Sequence, residues 1–180
     1  MDRMRFIIVG SGWRSLYFVR IAKALPERFE LCAMLCRTQE KADKMAAEYG
    51  IHTTTSIYEC VSLKPDFVVV VVTKTTGHEV AMQWMDRGFC VLLETPAGLD
   101  MQALNETWKR HEEGQKIVIC EQYNQYPQLH ALIQVANSGL LGDRHCLNIS
   151  VAHEYHGASV MRELLDVPTN EPFTLTTKTY

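Results

Sequence analysis

Between residues 5 and 120 of this 180-residue chain, short runs of β-branched and aliphatic residues alternate with longer amphipathic stretches. That rhythm restricts the fold more than any other feature. Strand, helix and strand in series specify βαβ units, and parallel strands need a crossover long enough to hold a helix. Residues 5–9, 29–37, 52–54, 67–72, 90–94 and 117–120 read as strands; residues 13–25, 39–49, 77–87 and 100–113 read as helices. The breaks agree with them. Pro26 closes the first helix, Gly50 stands at the C′ position of the second, and Ser56 caps a brief third. Gly88 and Gly114 stop the next two, and Asp100 opens the last. The unbroken run Phe67-Val-Val-Val-Val-Val72 suits a strand covered on both faces. The expected class is α/β, with a doubly wound parallel sheet.

After Glu121 the rhythm changes. Residues 127–138 read as a helix ended by Gly139-Leu-Leu-Gly142, and residues 145–151 alternate as a half-exposed strand does. A helix over 157–165 follows, then a strand over 173–180 with no partner after it. Residues 1–120 are therefore expected to form one domain. Residues 121–180 are expected to begin a second, α+β domain that the chain ends before completing.

Composition narrows the partners. A net charge of -3 exerts no general pull on nucleic acid or an anionic membrane, so a small-molecule ligand is expected. The longest apolar run is too short to span a bilayer, and no signal-peptide pattern opens the chain. The six cysteines form no C-x-x-C pair and lie mostly in apolar runs, which suits a reducing, cytoplasmic setting. Cys32 and Cys36, four apart on an expected strand, should point the same way, but no further ligand completes a site and no metal is expected.

The first strand runs into Gly10-Ser11-Gly12-Trp13-Arg14-Ser15, and a helix follows. Its first glycine permits a tight turn. The second lets the backbone approach a pyrophosphate resting on the helix N-terminus. Gly10, Ser11, Gly12, Trp13 and Arg14 are thus the expected dinucleotide-binding turn, with Ser15 where Gly or Ala is usual. Trp13 either covers the cofactor or staples the helix. An S-adenosylmethionine methyltransferase shares such a turn, but its acidic residue after the second strand is missing. That absence also bears on the type of nicotinamide cofactor, because Arg37 stands where NAD-binding proteins tend to place Asp or Glu. A guanidinium there can stack on adenine and bond a 2′-phosphate, with Thr38 and Lys41 adding donors. The cofactor expected is NADP(H) in preference to NAD(H). The plainer alternative is a solvated arginine at a strand end.

Three further stretches, Thr73-Lys-Thr-Thr-Gly-His78, Glu94-Thr95-Pro96 and Gly139-Leu-Leu-Gly142, follow in order. With the glycine turn, they give a chain that resembles the Gfo/Idh/MocA oxidoreductases, the glucose–fructose oxidoreductase and inositol dehydrogenase family. The resemblance implies a Rossmann domain, with Thr73, His78 and Glu94 near the nicotinamide end of the cofactor. It implies hydride transfer to or from a sugar, polyol or related substrate, and a C-terminal domain able to support a homo-oligomer. The family usually carries lysine between this glutamate and proline, but here the residue is Thr95. A threonine hydroxyl can position a substrate but cannot replace an ammonium as an acid. The family's histidine facing the nicotinamide matches His156, with Ala152 where an acid is usual. The candidate catalytic residues are therefore Thr95 and His156, and two surface histidines, His153 and His156, are the alternative. Tyr123 either walls a pocket or packs. His52, His111, His130 and His145 lack partners at useful spacings and read as surface or packing residues, and Trp84 and Trp108 as core or helix–sheet contacts. Loss of the lysine leaves a second reading open, a dinucleotide-sensing regulator or scaffold without catalysis.

Overall fold

Every strand of the first unit pairs in parallel with its neighbours. The computed structural model describes residues 3–151, 153–168, 174 and 176. The chain divides into two compact units, residues 1–120 and 121–180. In the first unit β1 (Met4–Val9), α1 (Ser15–Ala24), β2 (Phe29–Leu35), α2 (Gln39–Tyr49), β3 (Thr53–Thr54) and α3 (Ile57–Ser62) come first. They are followed by β4 (Phe67–Val70), α4 (Gly77–Met85), β5 (Cys90–Leu93), α5 (Met101–Glu112) and β6 (Ile117–Ile119). The sheet order is β3-β2-β1-β4-β5-β6, the Rossmann arrangement.

The order follows from handedness and burial. From β1 the chain steps outward to β2 and β3, then returns past β1 to start β4, so right-handed crossovers put the two sets of helices on opposite faces. Phe18, Val19, Ala22, Ala42 and Met45 of α1 and α2 pack with Phe6, Ile8, Met34 and Val69 on one face. Cys60, Ala81, Met82, Trp84 and Met85 of α3 and α4 pack with Ile7, Val9, Val68 and Val70 on the other. Neighbouring residues of β1 and β4 thus serve opposite faces, the period-two alternation of a strand. Each such fully buried Val or Ile stabilises the fold by about 1.5–3 kcal/mol.

Local chemistry sets the helix ends. Thr38, Ser56 and Asp100 each accept a hydrogen bond from the amide three residues on, at the start of α2, α3 and α5. Gly50 closes α2 in the left-handed conformation, φ 60°.

Four expectations need correction. The β1–β2 register shifts between Phe6 and Ile7, which pair with Leu31 and Ala33 and skip Cys32. This bulge reverses the alternation: Cys32 packs with the α4 face and Cys36 with the α1 face, so they do not point the same way. Trp84 is core, but Trp108 is 62% exposed, on a helix whose one buried residue is Thr107. His52 is not partnerless; its Nε2 lies 2.7 Å from Glu59.

The fourth concerns the second unit, where residues 145–151 form no strand. No described segment offers them a ladder, and an unpaired strand cannot satisfy its backbone. Their alternation serves packing instead, with Leu147 and Ile149 against the core formed by Ile133, Ala136, Val160 and Leu164. That core joins α6 (Pro127–Asn137) to α7 (Glu154–Leu165). The strand expected over 173–180 lies outside the described residues except for Thr174 and Thr176.

Candidate dinucleotide site

The carboxyl ends of β1, β2 and β4 surround a cleft of about 740 Å³. It opens where the strand order reverses, the place at which open α/β sheets bind ligands. Gly10, Ser11, Gly12, Trp13 and Arg14 line it from the first turn, and Cys36 and Arg37 from just beyond β2. Thr55 and Ile57 stand on the β3 side, with Thr73, Thr76 and Glu79 after β4.

The turn is tight because β1 and β4 are adjacent. Gly10 has φ 115°, and a Cβ there would stand 2.0 Å from the Val71 carbonyl oxygen. Its amide donates to the Leu35 carbonyl at 3.0 Å, which ties the turn to β2 as well. At Gly12 the space a Cβ would take is open, so a side chain there would enter the cleft. That is the close backbone approach a pyrophosphate needs. Ser15 is fully buried and its hydroxyl donates to the Gly12 carbonyl, so a small third residue serves close packing. Trp13 is 82% exposed; it lines the cleft and does not staple the helix.

Arg14 reaches across to the end of β5, where its Nε donates to Glu94 Oε1 at 2.5 Å. Its guanidinium also lies 4.6 Å from the Tyr17 ring centre. Burial works against the Arg14 charge, but the bond and charge of Glu94 outweigh it and hold the arginine above its ordinary range. The other Glu94 oxygen accepts the Thr95 amide at 3.2 Å. Beside them burial and then the Glu94 charge push the Cys120 thiol up to about 11, which keeps it protonated and unreactive at neutral pH.

The structure gathers Gly10, Ser11, Gly12, Trp13, Arg14, Arg37 and Thr73 on the cleft wall. Thr38, His78 and Glu94 stand elsewhere. The Thr38 hydroxyl caps α2. His78 faces α5, its Nε2 4.0 Å from Glu106, too long for a hydrogen bond. Glu94 is not on the cleft wall but bonds Arg14, which is. The Thr73 hydroxyl shares hydrogen bonds with those of Thr75 and Thr76.

In the second unit His156 is 7% exposed, and its Nδ1 lies 2.6 Å from Glu121 Oε2. The other Glu121 oxygen accepts the Tyr123 amide at 2.9 Å. Tyr123 stacks on the imidazole, 4.2 Å between ring centres. His156 is therefore not a surface histidine. The carboxylate missing at position 152 comes instead from Glu121, 35 residues upstream. Sequence reasoning passed over Glu121, although its place directly after a strand was a usable signal, because carboxyl ends of such strands carry ligand-facing residues. Glu79, one residue beyond the Thr73–His78 stretch, was missed for lack of any motif, and Thr76 was passed over within that stretch.

Residues 4–122 match the oxidoreductase family with the NAD-binding Rossmann fold, Gfo/Idh/MocA. The chain belongs to that family. An uncharacterized oxidoreductase of Rhizobium meliloti is 25% identical over 146 residues, 79% of this chain and 44% of the relative. An oxidoreductase of Thermotoga maritima superposes with a TM-score of 0.75 at 20% identity, over 91% of this chain and 60% of that one. The WlbA dehydrogenase of Bordetella pertussis, in complex with NADH and UDP-GlcNAcA, gives 0.71 at 19% identity, over 78% and 44%. This Gfo/Idh/MocA chain thus spans 44% of the length of its curated relative. Among the described residues no helix is long and apolar enough to cross a membrane.

Proposed function

We propose that this Gfo/Idh/MocA protein binds NADP(H) in preference to NAD(H) and transfers a hydride between nicotinamide and a sugar, polyol or related carbonyl or hydroxyl compound. The observation that carries the cofactor choice is Arg37, exposed on the cleft wall immediately beyond β2, where no carboxylate waits for a ribose hydroxyl. A guanidinium there pairs with a 2′-phosphate and stacks on adenine. The turn from Gly10 to Arg14 fits a pyrophosphate, and the open space at Gly12 leaves room for it.

The nicotinamide, when bound, supplies or accepts the hydride. The chain's own part is to bind, orient and move a proton. Glu94 is held by Arg14 and the Thr95 amide. The Thr95 hydroxyl is a hydrogen-bond partner for a substrate oxygen, not an acid. Proton transfer falls to His156, whose ring Glu121 orients through Nδ1, leaving Nε2 for the exchange. Residues 121–180 serve, on this reading, in substrate binding and oligomerisation, and the protein works in the cytoplasm.

Titration with NADPH and NADH tests the cofactor choice. NADPH should bind tighter by about tenfold, and Arg37→Ala should remove that margin and spare NADH. Equal affinities in the unaltered protein would overturn the preference. A panel of sugars and polyols, followed by NADPH absorbance, tests turnover.

Thr95 itself favours a second reading, a dinucleotide-sensing regulator or scaffold. Under it, cofactor binds, no panel member turns over, and affinity for a protein partner changes with cofactor. Steady turnover would exclude it.

A further inference from the structure

The Arg14–Glu94 pair joins two parts of the fold that a dinucleotide must also join. Arg14 belongs to the turn after β1, whereas Glu94 and Thr95 belong to the chain leaving β5. In a doubly wound sheet the two mononucleotide halves lie on opposite sides of the switch point. Arg37, Thr55 and Ile57 mark the β2–β3 side of this cleft. Glu94 therefore stands toward the other half, the side of β4, β5 and β6. The ion pair crosses from the pyrophosphate turn to that second half.

The contacts commit both carboxylate oxygens. Oε1 accepts Arg14 Nε and Oε2 accepts the Thr95 amide, and both side chains are largely buried, 20% and 14% exposed. A partly buried charged bond of this geometry is far stronger than a solvated surface pair. The guanidinium is further packed against Tyr17 and Cys120. The carboxylate offsets part of the guanidinium's charge, which makes Arg14 a weaker counter-ion for phosphate than an unpaired arginine would be.

We infer that Arg14 and Glu94 act as a positioning strut, which fixes the Glu94–Pro96 segment relative to the pyrophosphate turn and thereby sets the place of the nicotinamide half of the dinucleotide. The inference rests on the dinucleotide-binding reading and adds a division of labour to it. The adenosine half is held by the Arg37 side of the cleft, and the nicotinamide half depends on the strut. Arg14 holds its charge but moves no proton, so its role is geometric and electrostatic.

The test compares two ligands that share the adenosine half: NADPH, and 2′-phospho-ADP-ribose, which lacks nicotinamide. Affinities are measured by calorimetry on the unaltered chain, Arg14→Lys, Glu94→Gln and the double variant, with circular dichroism as the folding control. Each single variant should weaken NADPH by about tenfold relative to 2′-phospho-ADP-ribose, and the double variant should add little, as two ends of one interaction do. Equal weakening of both ligands would make Arg14 a phosphate counter-ion and overturn the strut, while leaving the function reading in place. Unchanged affinities would overturn it too. Failure of the unaltered chain to bind either ligand would remove the function reading, and the strut with it. Should Arg14→Lys fail to fold, Glu94→Gln keeps the comparison, since it preserves shape while removing the charge and one of the two acceptors.

Discussion

Gly10 and the Val71 carbonyl leave no room for a single methyl group between the first turn and the strand beside it: a Cβ on Gly10 would come within 2.0 Å of that oxygen. Neither backbone can yield cheaply, because the Val71 amide is itself bonded to the Val9 carbonyl at 2.9 Å. Gly10→Ala combines this clash with a positive φ and should destabilise the protein by about 3–5 kcal/mol. Gly12→Ala meets nothing within 4 Å. It should stay within about 1 kcal/mol of the parent in stability yet weaken dinucleotide binding, because its methyl enters the cleft. Urea unfolding and cofactor titration separate the two variants.

The two helix tryptophans should respond in opposite ways. Trp84 is 2% exposed and packs edge-on to Phe89, 5.6 Å between ring centres. Trp84→Ala should cost about 3–5 kcal/mol through lost burial and a cavity. Trp108→Ala, at a largely exposed site, should change stability by less than about 0.5 kcal/mol. Urea denaturation of the two variants checks the contrast.

Glu121→Ala leaves His156 Nδ1 and the Tyr123 amide without their acceptor in a buried setting. It should cost about 1–3 kcal/mol, whereas Glu121→Gln keeps an acceptor and should cost less. If the histidine moves a proton, turnover in Glu121→Gln should fall by more than its loss of stability accounts for. Stability loss with turnover of the folded protein unchanged would assign Glu121 to packing alone.

Glu59 provides an acid-sensitive contact. Hydrogen bonds from Thr54 and then His52 hold its carboxyl below the ordinary value, with burial opposing and the His52 charge assisting. A folded value below the unfolded one means the stabilisation is present above the unfolded value and is lost as pH falls through the folded one. Glu59→Gln should therefore be less stable than the parent near neutral pH. The gap should narrow as pH falls below the ordinary carboxylate range. A gap that does not narrow there in urea titrations would reject this account.

Much of the first unit was legible because its signals are local or periodic. Thr38, Ser56, Asp100 and Gly50 mark helix ends through bonds to amides and carbonyls a few residues away, and the valine run of β4 states that both its faces are covered. The cleft residues from Gly10 to Arg14 were legible for the same reason, since the turn, its flanking strand and its helix are contiguous. The Cys32 bulge was not legible. It arises from the register between β1 and β2, and the 29–37 run alone carries no sign of it. Nor was the absence of a strand over 145–151, where alternation was present but no described segment pairs with it.

By itself the sequence determined the succession of strands and helices, the glycine turn, and the substitution of Thr95 for a lysine. Those are matters of residue type and short spacing. Only the tertiary structure decided that Arg14 meets Glu94, 80 residues on, that His156 takes its carboxylate from Glu121, and that His78 faces α5 away from the cleft. Such pairings depend on which strand lies beside which and on which face each helix covers. They form only when the sheet brings together strand ends that are distant in the chain.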